Sequence, residues 1–147
     1  MKCSREKMQG GLVMLSLFWE LLVVWGIMLL VSVANGACRD FTYGKRMGEL
    51  AAHQLSTASS IIVLGLVIFG YIRLYPPASF PQALGIGFFW MTLTITFEFL
   101  FFHYVGGHSW SSLLKNYYVH EGRVWVLVLL WITVAPPLAF RIFIMPG

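Results

Sequence analysis

The sequence predicts an all-α integral membrane protein: a single transmembrane domain over residues 1–147, built as a four-helix bundle with a short interfacial helix between its third and fourth helices. Three observations carry this expectation. Of the 147 residues, 59% are hydrophobic and only 11% charged, well under half the roughly 25% of an ordinary soluble domain. A soluble chain this short has too much surface for its volume to be covered by ten Lys/Arg and six Asp/Glu. The apolar residues also fall into four separate runs, each near the roughly 20 residues that a helix needs to cross a bilayer with its backbone hydrogen bonds satisfied internally.

The first run covers residues 11–34, interrupted only by Glu20 and serines. It is about twice the length of a signal-peptide core and holds an acid, so it reads as an uncleaved helix. Asn35 breaks the pattern of a lipoprotein signal before Cys38. The second run, 56–75, begins with Ser56, Thr57, Ser59 and Ser60 and stops at Tyr75-Pro76-Pro77, where proline cannot continue the ladder. The third, 82–105, follows the short connection through Pro81. The fourth, 124–143, carries Pro136-Pro137, which should kink or end it.

An even number of crossings places both termini on one side, here side A, with the loops 35–55 and 106–123 on side B. Lys2, Arg5, Lys7, Arg73 and Arg141 fall on side A; Arg39, Lys45, Arg46, Lys115 and Arg123 fall on side B. The tally is level. The cluster ahead of the first helix therefore decides, and it makes side A and both termini cytoplasmic. Cys3 and Cys38 lie a membrane apart and form no intrachain disulfide. The basic residues flank apolar runs rather than lining a polar stripe, so the net charge of +4 points to lipid headgroups and not to nucleic acid.

This threading gathers His53, His103, His108 and His120 at side B, with Glu49, Glu121, Arg39 and Asp40. A second helix that starts near Gly48 aligns Glu49, His53, Ser56 and Ser60 as one polar stripe running inward. On the third helix Thr94 and Glu98 stand one turn apart, with Glu98 roughly 10 Å deep. Glu20 lies near the middle of the first helix. A charge at the centre of a membrane helix costs ~2.5 kcal/mol or more, so each acid is expected neutral, paired, or facing a wet interior. The two are expected as stations along one interior, separated in depth by roughly 10 Å. Either can instead fix helix packing by bonding to Thr94, a tryptophan or a backbone carbonyl.

The stretch Gly106-Gly107-His108-Ser109-Trp110, followed by Leu113, Leu114 and Tyr117, has the spacing of a surface helix whose aromatic residues suit the headgroup zone. Alternatively it forms a lid hinged at Gly106, Gly107 and Gly122. His103, His108 and His120, with nearby acids, are the candidate metal ligands, without a tight zinc signature. His53 and His103 come from different helices, which permits haem ligation. No phosphate loop, dinucleotide fingerprint or nucleophile elbow occurs, and no catalytic residue is assigned.

The stretches 35–40 (Asn-Gly-Ala-Cys-Arg-Asp), 48–56 (Gly-Glu-Leu-Ala-Ala-His-Gln-Leu-Ser), 97–104 (Phe-Glu-Phe-Leu-Phe-Phe-His-Tyr) and 107–110 (Gly-His-Ser-Trp) resemble an uncharacterised family of small four-helix bacterial membrane proteins. The likeness spans roughly residues 35–135. It implies the same architecture and a bacterial origin, so that a bacterial inner membrane is the expected location, and it implies no chemistry. Small multidrug exporters share the size and helix count, but the surroundings of their membrane acid are missing here, as are the arginine-rich loops of membrane glutathione transferases.

Three functions follow as expectations. The first is a small proton-linked transport or ligand-binding protein with a pocket near Glu98, in which Glu20, His53, His103, His108, Glu49 and Thr94 take part. The second is a noncatalytic accessory or assembly subunit of a larger membrane complex, with protein partners or copies of itself. The third is a metal- or haem-dependent redox protein.

Overall fold

The computed structural model describes residues 2–107, 109–111 and 125–145, with side-chain surroundings from Gln9 onward, Phe102 excepted. Among these residues there are four long helices and no strand. They are α1 (Lys2–Phe41), α2 (Glu49–Leu74), α3 (Phe80–Tyr104) and α4 (Val126–Ile144), with one 3-10 turn, Tyr43–Lys45, between α1 and α2. All four are long and apolar enough to cross a membrane.

The helices outrun the apolar runs that announce them. α1 has 40 residues, a rod of roughly 60 Å, against the expected 11–34. Hydrophobicity marks the stretch suited to lipid, whereas the backbone ladder continues until something breaks it. Neither flank of α1 contains proline, and Gly36 alone does not interrupt it. α2 likewise starts seven residues ahead of its apolar run, because Glu49, Leu50, Ala51, Ala52 and Gln54 are good helix formers.

α2 stops before Pro76, as expected. α3 begins with a reciprocal cap that the apolar pattern did not reveal: the Gln82 amide donates to Ser79 Oγ at 3.3 Å, while Gln82 Oε1 accepts from the Ala78 amide at 2.7 Å. Pro81 stands in its first turn, where no donor is needed. The helix ends before Gly107, whose φ of 67° suits the turn away from the bundle.

Pro136 and Pro137 do not terminate α4; both lie inside it and are buried. Lacking N–H groups, they leave the carbonyls of Ile132 and Thr133 without their usual donors. Neighbouring helices can supply substitutes. At Thr133 the substitute is the backbone of α3: a Cβ built on Gly87 would fall 2.3 Å from the Thr133 oxygen. With a bond of about 1.5 Å, the Gly87 Cα itself lies within about 3.8 Å of that oxygen, within reach of a Cα–H···O contact.

α4 packs against both α2 and α3, and α1 packs against α2 and more thinly against α3. The core holds Leu64, Ile68 and Ile72 of α2, Ala83, Ile86 and Trp90 of α3, and Val128, Ile132 and Ala139 of α4. α1 contributes little to it beyond Leu21 and Met28.

Two indoles clamp α1 to α3. Trp90 donates to the Leu21 carbonyl at 2.9 Å, and Trp25 donates to Thr94 Oγ1 at 3.1 Å. The sequence offset is 69 residues in both bonds, so the two helices run side by side in the same direction. At the other end, the Arg141 guanidinium lies 5.2 Å from the Phe80 ring and that of Arg73 lies 5.6 Å from Phe143. α4 therefore finishes where α3 begins, and the start of α1 and the end of α4 share one end of the bundle. That end is side A.

Candidate functional site

Side B of the bundle holds two polar groupings. The first ties α1 to α2 and is centred on Asn35. Its amide nitrogen donates to the Ser56 carbonyl at 2.8 Å and to Ser60 Oγ at 2.7 Å, and its amide oxygen accepts from Ser59 Oγ at 2.9 Å. Ser56 and Ser60 are buried. One asparagine thus satisfies three serines on a neighbouring helix, a bond pattern that holds helices together where lipid offers no alternative partner.

One turn nearer the end of α1, an Arg39 guanidinium nitrogen (Nη1) meets His53 Nδ1 at 3.3 Å, while Arg39 Nε pairs with Asp40 at 2.8 Å. A guanidinium only donates. His53 Nδ1 is therefore the acceptor in this contact. The expected stripe along α2 is present in its inner part, because Ser56 and Ser60 face α1; Glu49 is exposed.

Asn35 is absent from the candidate site residues that the sequence offers. Its signal was available: a lone amide at the edge of an apolar run, facing a helix start unusually rich in serine. Replacing it tests the seam. Asn35→Leu is expected to lower stability in detergent by about 1–2 kcal/mol, because the serine hydroxyls can fall back on carbonyls of their own helix. Unfolding followed by circular dichroism measures this, and Ser59→Ala is expected to cost less.

The second grouping joins α3 to the start of α4. Glu98 lies six residues before Tyr104, about 9 Å inside the end of α3. The Trp125 indole donates to its Oε1 at 2.8 Å. A tryptophan partner is one of the expected packing roles, and here the indole N–H donates to the carboxyl. Thr94 is not the partner of Glu98 in this bond; it accepts from Trp25 and donates to the Trp90 carbonyl at 2.8 Å. His103 lies flat on Trp110, centroids 3.9 Å apart and planes 22° from parallel, with the Tyr104 ring edge-on at 4.9 Å.

Glu20 departs from its expected place. It is exposed on α1, within electrostatic reach of the buried Tyr71 of α2, and so does not sit beside Glu98 in one interior. The pairing of Leu21 with Trp90 sets it level with Phe89, nine residues and roughly 13 Å from the level of Glu98. The amphipathic spacing of α1 is too even to show which face turns inward, and the sequence assumed that the acid would follow the interior.

His108, His120, Glu121 and the expected interfacial helix beyond Ser111 lie outside the described residues. Among the described ones, no three of His, Cys, Asp and Glu are grouped so as to hold a metal ion. The two cavities nearest to pockets also lie away from Glu98. One is a cleft between α1 and α3 lined by Met14, Phe18, Gly85 and Phe89, and the other is a cup at the 3-10 turn lined by Phe41, Tyr43, Lys45 and Arg46.

The fold and these polar groupings define a class: an all-helical chain with four helices suited to crossing a membrane and hydrogen-bonded polar side chains at one end. Comparison with family models, curated proteins and solved structures returns no match to this chain.

Proposed function

We propose that this chain is a multi-pass protein of a bacterial inner membrane, with four crossings and cytoplasmic termini, and that it acts as a small proton-linked transport or ligand-binding protein centred on Glu98. The observation that carries this is the Trp125–Glu98 hydrogen bond. It fixes a half-buried carboxyl about 9 Å inside the end of α3, at the joint with α4. One carboxylate oxygen is aligned by the indole. The group as a whole can take up or release a proton, or receive a cationic ligand, without dismantling the core. His103, on its aromatic platform one to two turns closer to side B, is placed to exchange protons at the mouth.

The test is Glu98→Gln, which keeps an oxygen acceptor for Trp125 and removes the titrating group. In proteoliposomes carrying a pH gradient, the wild-type chain is expected to support proton-coupled flux. The variant should fold normally and lose at least about tenfold of it, in keeping with the usual functional weight of a membrane acid. Equal flux from both proteins would overturn the proposal. A noncatalytic accessory role is the alternative, and the largely uncovered α1 favours it: only 11% of its apolar window is buried, against 50% for α4. Copurification of a defined complex, with Glu98→Gln silent, would establish that role instead.

A further inference from the structure

Where α1 ends, the chain turns over a cup of about 490 Å³ lined by Phe41, Thr42, Tyr43, Lys45 and Arg46. Gly44 sets the turn: a Cβ there would fall 2.6 Å from the Arg39 carbonyl oxygen, so a side chain would hold the turn away from α1. Charge around the cup is unbalanced. Asp40 is held by Arg39 at 2.8 Å, whereas Lys45 and Arg46 are exposed and enter no ion pair among the described residues. Lys45 Nζ stands 5.9 Å from the centroid of the Phe41 ring, and Phe41 itself is exposed. Depth adds a second argument. Asn35 bonds to Ser56, where the apolar run of α2 begins, and Phe41 lies six residues, roughly 9 Å, outward of Asn35 along α1. The headgroup zone adds about 5–8 Å to each side of the hydrocarbon, so the cup stands at the level of lipid phosphates.

We propose that this cup binds the phosphodiester of an anionic phospholipid, with Lys45, Arg46 and the Tyr43 hydroxyl on the headgroup and the Phe41 ring against its glycerol and upper acyl chain. The inference rests on the reading that the chain spans a membrane and is independent of Glu98. A phosphodiester is an anion whose oxygens accept, and the ammonium, guanidinium and phenol groups of the lining all donate. Bonds from a cation to such an oxygen are the strong ones. A zwitterionic headgroup adds an ammonium that the two cations repel, so the lining selects an anionic lipid.

The readout must be local, because cations also flank side A. In the full chain with Cys3 and Cys38 replaced by serine, Gly48→Cys carries a bimane fluorophore beside the cup, where a Cβ meets nothing within 4 Å. Phosphatidylcholine vesicles hold a small fraction of either phosphatidylglycerol or phosphatidylcholine with a spin label on the acyl chain near the glycerol. Labelled phosphatidylglycerol is expected to half-quench the fluorophore at a roughly fivefold lower fraction than labelled phosphatidylcholine. Lys45→Gln with Arg46→Gln should erase that preference. Gly44→Ala keeps both cations but displaces the turn, so it should lose most of the preference as well. Equal quenching of the wild type by both lipids overturns the proposal. So does a preference unchanged in Gly44→Ala, which would mean diffuse attraction to the charges rather than a cup. Inorganic phosphate at matched ionic strength should leave the preference as it is, and competition by it would refute a lipid as the occupant. Alkaline carbonate separates the two readings. A chain retained in the vesicles yet quenched equally refutes only the lipid site, whereas a chain released by the wash refutes the membrane reading and the site with it.

Discussion

Trp90→Ala should unlatch α1 from the rest of the bundle and cost about 3 kcal/mol of stability. Trp90 is fully buried and donates to the Leu21 carbonyl, with Tyr71 edge-on to its ring at 5.7 Å. In water the cost would include transfer of the indole to solvent. Between helices in lipid that contribution is small, since hydrocarbon is as apolar as the core. What remains is the cavity, its lost dispersion contacts and one hydrogen bond. Leu21 keeps the amide bond of its own helix, so Trp90→Phe should cost only about 1 kcal/mol. Unfolding in detergent by heat or by added dodecyl sulfate, followed by circular dichroism, measures both. Trp19→Ala is the control: Trp19 is 59% exposed and its loss should fall within about 0.5 kcal/mol. A Trp90→Ala cost no larger than that of Trp19 would mean that the clamp does not hold α1.

The four helices were legible because the bilayer constraint is written in composition: a run of about twenty apolar residues has few other uses. Their ends were less so. α1 continues to Phe41 through Asn35, Arg39 and Asp40, since polarity ends a span without ending a helix. The side-B gathering was legible only as a location. Parity brings His53 and His103 to one end, and the inward stripe on α2 was readable from spacing. Which groups bond was not readable, because that depends on how each helix is rotated about its axis. Asn35 became the hub on α1 and Glu20 was left exposed, although Glu20 interrupts the apolar run and Asn35 only borders it. Only Trp110 has a sequence context that suits the headgroup zone, and a tryptophan is an expected partner for the membrane acids; Trp25, Trp90 and Trp125 each spend an indole N–H on another helix. These three indoles act as polar fasteners beside the serine hydroxyls of α2 that hold Asn35.

Gly85 and Gly87 are the sharpest case of two residues that the sequence cannot tell apart. Both lie on α3, one helical step either side of Ile86, and each costs the helix about 1 kcal/mol relative to alanine. Gly85→Ala meets nothing within 4 Å and should be neutral or stabilising by up to that amount. Gly87→Ala meets the Thr133 carbonyl, with the new Cβ 2.3 Å from the oxygen and 2.9 Å from the carbon. Backbone cannot swing aside as a side-chain tip can, so α3 and α4 must separate along a contact that also carries the buried Ile86, Ile132 and Ala135. The gain in helix propensity is then overwhelmed, and a net loss of about 2 kcal/mol or more is expected. Separation would also strip the Thr133 oxygen of the substitute that makes Pro137 tolerable inside α4, so Gly87→Ala combined with Pro137→Ala should lose less than Gly87→Ala does alone. Opposite signs for the two glycines in the same detergent unfolding assay are the expected result. Equal effects would mean that α3 and α4 do not approach at Gly87.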